Sequence, residues 1–276
     1  MNGVPMVTLA NGVAMPALGL GTSPMGDDET EATVTAAIGA GYRLIDTAEN
    51  YGNERGVGRG IRASGVDRDE IFVTTKFNER WHGFEEAQQA FANSAERLGL
   101  DRIDLLLIHW PNPRKDRYVD AWRGLVKLLE DDRVRAIGVS NFKPAHLDRL
   151  LEETGVAPQV NQIELDPRIT KAEERRYHTE HGIVTESWSP IGAGGDLLVD
   201  ATIGDVARAH DKTPAQVVLR WHVQLGLIPI PKTSKLRRLA ENLDVFGFEL
   251  SAEDMDRIAS LDRHGEGATD SDSFGH

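Results

Sequence analysis

Four residues of this 276-residue chain carry side chains that can act on one another's protons: Asp46, Tyr51, Lys76 and His109. Asp46 and Tyr51 lie in "DTAENYGNE" (Asp46–Glu54), directly after the apolar entry "YRLI". Lys76 ends "IFVTTK" (Ile71–Lys76), and His109 comes at the end of "LLLIH" (Leu105–His109). A free phenol has a pKa of about 10 and gives up its proton poorly near neutrality. A neighbouring ammonium favours the phenolate and lowers that value, so Lys76 can activate Tyr51. A lysine buried alone tends to lose its charge, and Asp46 would keep it ionised. His109 can hold a carbonyl oxygen near the phenol, with Tyr51 as general acid. Such a set protonates a carbonyl but holds no reductant; a hydride from a nicotinamide cofactor would complete the reaction.

Taken singly, each residue has a plainer reading. An Asp or Asn at a strand end is commonly a turn or cap residue, a lone His a hydrogen-bonded structural group, a lone Lys a solvated one. The elements that carry them decide the matter. Strand patterns recur near Leu18–Gly21, Leu44–Asp46, Ile71–Lys76, Ile103–His109, Arg135–Val139, Gln159–Ile163, Val184–Ser187 and Leu227–Pro231. Helical patterns fill the gaps: Glu29–Ala40, Glu54–Ser64, Glu85–Leu98, Val119–Glu130, Pro144–Glu153, Ala172–Glu180, Ala201–His210 and Pro214–Leu225. Continuous apolar runs such as "IDLLLI" suit parallel strands covered on both faces. Strict alternation with no composition break predicts one α/β domain over 1–276, a single (β/α)8 TIM barrel. The rival, a doubly wound open sheet, should show G-x-G-x-x-G after its first strand; "LGLGTSPMG" (Leu18–Gly26) lacks that spacing. Asn11-Gly12 between short apolar runs predicts an N-terminal β-hairpin. The Gly/Ser/Asp-rich end, 264–276, predicts a short flexible tail. In a barrel, chemistry sits at the C-terminal rim of the strands, and here the strands end at Asp46, Lys76, His109, Ser140-Asn141, Asn161-Gln162, Ser187-Trp188 and Lys232.

Composition narrows the class. The chain is 40% hydrophobic and 27% charged, enough for a sizeable core. A formal charge of -13 argues against general nucleic-acid or anionic-membrane binding, though not against a local basic pocket. With no cysteine, thiolate metal sites and disulfides are excluded, and no metal site is expected. Neither a signal-peptide pattern nor a run of membrane-spanning length is present, so a cytoplasmic protein is expected.

A second constellation suits a phosphate. In "IPIPKTSKLRRLAENL" (Ile228–Leu243) a strand leads to Lys232, Thr233 and Ser234, then to a helix with Arg237 and Arg238. Thr233 or Ser234 could cap that helix, whose N-terminus favours anions; an ordinary basic surface helix is the alternative. Trp188 could stack on a flat ring or simply cap the barrel. The glycine-rich "SPIGAGGDLL" (Ser189–Leu198) could close over a pyrophosphate.

In these segments, and in "IGVSNF" (Ile137–Phe142) and "VNQIEL" (Val160–Leu165), the chain resembles the aldo-keto reductase family over nearly its whole length. "TPAQVVLRWH" (Thr213–His222) and "ENLDVFGFEL" (Glu241–Leu250) are most similar to the bacterial 2,5-diketo-D-gluconate reductase branch. The resemblance implies a catalytic set of Asp46, Tyr51, Lys76 and His109, and NADPH bound across the barrel mouth without a Rossmann domain. It implies Ser140, Asn141 and Gln162 at the carboxamide and Trp188 on the nicotinamide. Ser189, Pro190, Ile191 and Gly192 would line the pyrophosphate, with Thr22 and Ser23 near the ribose. Lys232, Thr233 and Arg238 would hold the 2′-phosphate, with Glu241 and Asn242 near the adenine and Ser234 also among the cofactor-binding residues.

The chain departs from the family at Glu49-Asn50, at Phe77-Asn78 and at Asp166. Asn50, Phe77, His109 and Trp110 are expected to border the substrate. A short segment from Trp110 to Tyr118 and a short polar tail predict an open pocket for small polar carbonyls: α-dicarbonyls or sugar-derived keto acids. The family also leads us to expect a monomer. The alternatives are an NADPH-binding sensor subunit with little turnover, and a Schiff-base lyase that uses Lys76 as nucleophile.

Overall fold

The structure, a computed structural model, describes residues 3–275; Met1, Asn2 and His276 of the expected domain and tail lie outside it. A hairpin of β1 (Met6–Thr8) and β2 (Ala14–Pro16) precedes eight parallel strands. In chain order these are β3 (Leu20–Gly21), β4 (Leu44–Asp46), β5 (Phe72–Phe77), β6 (Ile103–Ile108), β7 (Val134–Ser140), β8 (Val160–Glu164), β9 (Val184–Trp188) and β10 (Ile228–Pro229). Each strand pairs in parallel with its sequence neighbour. The sheet closes on itself: Gly19 N donates to Pro229 O and Gly21 N to Pro231 O, both at 3.1 Å. A side chain at Gly19 would meet Ile230 and Leu44 at 2.7 Å, so glycine there lets the first and last strands meet.

Helices cover the outside: α1 (Asp27–Ala40), α2 (Glu54–Ser64), α3 (Phe84–Leu98), α4 (Tyr118–Glu130), α5 (Pro144–Thr154), α6 (Ala172–Glu180), α7 (Ala201–Ala209), α8 (Pro214–Gln224), α9 (Leu236–Leu243) and α10 (Ala252–Ala259). The sequence patterns match these spans to within one or two residues, apart from the shorter β3 and β10. They do not predict α10, although Ser251 and Asp254 form a capping box at its start. No helix among the described residues is long and apolar enough to cross a membrane.

Strand alternation sorts the barrel interior. Leu44, Phe72, Leu105, Leu107, Ala136, Val160, Ile228 and Ile230 form a buried apolar plug with Leu9 and Met15 of the hairpin region. Residues of opposite parity, such as Ile45, Val73, Phe77, Leu106, Ile108, Ile137 and Val139, belong to the outer core beneath the helices. Two residues beyond Leu44 comes Asp46, four beyond Phe72 comes Lys76, and two beyond Leu107 comes His109. The period of two that buries the plug therefore points all three side chains into the barrel.

The pair α1 and α2 frames the segment that carries Tyr51. Helix α2 approaches so closely that a Cβ on Gly58 would lie 1.9 Å from the Leu98 carbonyl oxygen. Gly58→Ala is expected to destabilise the fold by about 1–3 kcal/mol, since backbone cannot yield as a flexible side chain does. Urea denaturation checks this; a variant as stable as the parent would show that the helices can separate freely.

Candidate active site

Tyr51 sits on a single 3-10 turn, Glu49–Tyr51, that is pinned on both sides. Upstream, Glu49 accepts hydrogen bonds from Trp81 Nε1 at 2.8 Å and Asn78 N at 3.4 Å, and pairs with Arg80. Downstream, the buried Asn53 donates to the Thr22 and Met25 carbonyls, each at 3.0 Å, and accepts from Thr47 Oγ1 at 2.7 Å. The next residue, Glu54, accepts from Thr75 at 2.7 Å and pairs with Arg97 at 2.5 Å, which ties α2 to β5. Glu49, a departure when read as sequence, is thus a strut of the tyrosine turn.

The four sequence-predicted residues converge. Lys76 is fully buried, and its Nζ donates to Asp46 Oδ1 at 2.6 Å, Thr47 O at 3.0 Å and Tyr51 Oη at 3.4 Å. An ammonium has three hydrogens, so these contacts use all of them. With Lys76 donating to its oxygen, the Tyr51 hydroxyl hydrogen is left for another acceptor. His109 packs edge-on against Tyr51, ring centroids 5.9 Å apart.

Electrostatics fix the protonation states. Burial pulls the Lys76 ammonium down, but Asp46, Tyr51 and Glu186 outweigh it and the net shift is upward, so the lysine stays charged. Burial and then the Lys76 charge hold His109 well below the usual imidazole range. Its ring is neutral and can donate one N–H to a carbonyl oxygen. Tyr51 corrects an expectation: its net shift is upward, not downward. Burial dominates, Lys76 opposes it only in part, and Asp46 and Glu186 add to it. Lys76 therefore offsets the cost of desolvating a phenolate, and the resting phenol keeps its proton, as a general acid requires.

The residues expected around a cofactor lie along the same strand-end rim. Ser140 Oγ donates to Gln162 O at 2.8 Å. The amide of Asn141 is engaged: Nδ2 donates to His109 O at 3.1 Å and Ser140 Oγ at 3.0 Å, while Oδ1 accepts from Trp188 Nε1 at 2.8 Å. Asn141 thereby sets the angle of the half-buried Trp188 ring. Gln162 Nε2 donates to Asp46 Oδ2 at 2.8 Å and Glu186 Oε2 at 2.7 Å, which leaves its carbonyl oxygen for a ligand amide. Thr22 Oγ1 donates to Asp46 O at 3.0 Å beside Ser23. In the turn Ser189, Pro190, Ile191 and Gly192, the Pro190 carbonyl contacts the buried His222 Nε2 at 3.0 Å, an anchor that sequence reading missed.

At the far end of the rim, Lys232, Lys235 and Arg238 make no ion pair with the described residues, whereas Arg237 is taken by Glu241 at 2.7 Å. Neither Thr233 nor Ser234 caps α9: Lys235 holds the N-cap position, and Thr233 Oγ1 only accepts from Lys235 N at 3.2 Å. The helix start keeps free N–H groups next to three unpaired cations, which fits a phosphate. Asn242 lies on the buried face of α9.

Two substrate-side expectations change. Phe77 is fully buried in the outer core and touches His82 edge-on at 6.4 Å. It follows inward-pointing Lys76 and so must point outward, away from the mouth; it cannot border a substrate. Asn50 is exposed, and Trp110 keeps 9% of its surface. Residues 264–275 form no helix or strand, yet they are tied down by contacts that the composition does not announce. Lys143 pairs with Asp270 and Asp272 at 2.6 Å, and His146 with Asp272 at 3.1 Å. Thr269 N donates to Glu164 at 2.8 Å. Phe274 then meets Trp110 edge-on, ring centroids 5.0 Å apart.

A groove of about 480 Å³ lies at the opposite end of the strands, beside Arg175, Arg176 and Val184, far from these groups. No cluster of three or more His, Asp or Glu side chains that could hold a metal occurs among the described residues.

Residues 15–263 match the model of the aldo/keto reductase family. The chain is 51% identical over 263 residues to 2,5-diketo-D-gluconic acid reductase B of Corynebacterium sp., covering 95% of each. A crystal structure of an aldo/keto reductase from Brucella melitensis superposes with a TM-score of 0.91 at 47% identity, covering 94% of this chain and all of that one. A crystal structure of a variant of Gox0644 in complex with NADPH superposes with a TM-score of 0.95 at 45% identity, over the full length of both chains.

Proposed function

The chain belongs to the aldo/keto reductase family, and from that premise we propose that it reduces small, polar carbonyl compounds with NADPH, α-dicarbonyls or sugar-derived keto acids above all. The observation that carries the reading is the Lys76 ammonium. Its three hydrogens are spent on Asp46, Thr47 and Tyr51, so the Tyr51 proton is poised for a substrate oxygen. The NADPH-bound relative supports the cofactor. The keto-acid class follows the name of the Corynebacterium relative.

When bound, NADPH supplies the hydride. The chain's own residues do the rest. Trp188, oriented by Asn141, offers a flat face for the nicotinamide, and Ser140 and Gln162 offer hydrogen bonds to its carboxamide. Neutral His109 orients the carbonyl oxygen, and Tyr51 protonates that oxygen as charge develops on it. Lys76, kept charged by Asp46, stabilises the phenolate that remains. Lys232 and Arg238 favour the 2′-phosphate that separates NADPH from NADH.

A Schiff-base role for Lys76 does not fit. The amine is fully buried, all its hydrogens are engaged and its neighbours keep it protonated, whereas a nucleophile must be free and neutral. The complete proton-donor set argues against a sensor without turnover.

A panel of methylglyoxal, phenylglyoxal, keto sugars and keto acids, each followed by loss of NADPH absorbance, tests the substrate class. Preference for bulky apolar ketones over all of these would overturn it. Arg238→Ala is expected to raise KM for NADPH about tenfold or more, in line with the loss of a hydrogen bond between charged groups. KM for NADH should stay where it was. Equal effects on the two cofactors would remove Arg238 from the phosphate site.

A further inference from the structure

One buried acid touches neither Lys76 nor Tyr51 directly, yet its charge bears on both. Glu186 is fully buried in β9, two residues before Trp188, so strand alternation turns it into the barrel. Across the sheet it lies in register with Gln162 of β8 on one side and Ile228 of β10 on the other. Its Oε2 accepts from Gln162 Nε2 at 2.7 Å, and its Oε1 has no partner.

The same Gln162 nitrogen donates to Asp46 Oδ2 at 2.8 Å. An amide nitrogen has two hydrogens, so both go to carboxylates, and this fixes which way the amide faces. Reversing it would bring the amide oxygen against the Asp46 carboxylate. Asp46 Oδ1 in turn accepts from Lys76, and Lys76 donates to Tyr51. Tyr51, Lys76, Asp46, Gln162 and Glu186 therefore form one unbroken chain of contacts through the barrel interior.

We propose that Glu186 is a positioning residue of the reductase site: through the shared Gln162 amide it holds that amide's carbonyl toward the nicotinamide carboxamide and sets the field on the Lys76–Tyr51 pair. The proposal rests on the reductase reading above. The titratable or charged groups that face Glu186 are Asp46 from β4, Lys76 from β5 and Tyr51 from the turn after β4; its partner on β8 is the neutral Gln162 and its neighbour on β10 the apolar Ile228. Burial first, then the charge of Asp46, push the Glu186 carboxyl up to about 8, against Gln162 and Lys76. Near neutrality it is thus protonated, and it ionises as the medium turns alkaline. The ionised form opposes a second anion on Tyr51 and keeps the phenol protonated at pH values where it would otherwise begin to fail as an acid.

The sign of the stability effect follows. The folded value lies above the 4.5 of an ordinary glutamate, so the folded state binds the extra proton. The contribution is fully present below about 4.5 and is lost as pH rises through about 8.

Glu186→Gln is the test, because it keeps an acceptor for the Gln162 amide and removes the charge. Its Tm should already exceed that of the parent at pH 6, and the gap should be wider at pH 9. Tyr51 ionisation, read as the ultraviolet difference from Tyr51→Phe, should begin about half to one pH unit lower. The alkaline limb of kcat for carbonyl reduction should move down with it, while kcat at pH 6 stays within about threefold. Glu186→Leu, which removes the acceptor as well, should weaken NADPH binding about tenfold, measured by quenching of tryptophan fluorescence. An unmoved Tyr51 titration together with the same Tm difference at both pH values would reduce Glu186 to inert packing. A parent protein that binds NADPH but reduces no carbonyl would sink the reductase reading alone, since the Tm and Tyr51 titrations still decide the role of Glu186.

Discussion

Tyr51→Phe is expected to lower kcat for carbonyl reduction by about 10²–10⁴-fold, the usual worth of a positioned general acid, or about 3–5 kcal/mol of barrier. The ring is held by contacts that do not involve its hydroxyl. His109 packs edge-on against it, and the turn that carries it is braced by Glu49 and Asn53. Phenylalanine should therefore occupy the same place and leave NADPH affinity within about twofold, as fluorescence titration would show. The one polar loss is Lys76's third hydrogen-bond acceptor, the longest of its contacts at 3.4 Å. The stability cost should accordingly stay near 1 kcal/mol. Single-turnover rates should fall as far as kcat does, because the missing group acts in the chemical step. A variant with near-parental turnover would transfer the acid role to another group, with His109 and the hydrogen freed on Lys76 the nearest candidates among the described residues.

How far this site could be read beforehand depended on parity. Asp46, Lys76 and His109 end apolar strands, and a period of two already implies that they share a face with Leu44, Phe72 and Leu107. The same rule, applied one residue further, would have sent Phe77 outward, and applied to "VTESW" it would have turned Glu186 inward with Trp188. The strand-end signal picked out residues at the rim and passed over a charged group in mid-strand. Asn53, Glu54 and His222 were missed for another reason. They act through partners far away in the chain, such as Arg97 and the Pro190 carbonyl, and those pairings follow from three-dimensional packing alone. The tail shows the limit of composition. Glycine, serine and aspartate predict little burial, but Asp270 and Asp272 find Lys143, and the one aromatic residue of the segment finds Trp110. The direction of the Tyr51 shift was likewise out of reach, since it depends on how much water the closed barrel excludes, and only the folded structure reveals that.

Lys76→Met should do more damage to the fold than to any other property except turnover. The ammonium lies between two acids, Asp46 in contact at 2.6 Å and Glu186 behind Gln162, and none of the three reaches water appreciably. Removing one partner of a buried pair leaves the other desolvated and uncompensated, at a cost of about 3–5 kcal/mol. In the parent, Lys76's folded value is raised, so its contribution is complete below the ordinary 10.5 and lost only in strong alkali; it is therefore fully present at pH 7. Adding Asp46→Asn should shrink the deficit: the double variant loses both charges and should recover most of the stability measured by urea denaturation. Turnover should not return. Without the ammonium nothing offsets the burial of a Tyr51 phenolate, and proton donation should remain at least about 10²-fold slower in both variants. A single variant as stable as the parent at pH 7 would mean that water reaches Asp46 after all. A double variant that regained activity would mean that the charge pair serves the fold and that Tyr51 needs no help in giving up its proton.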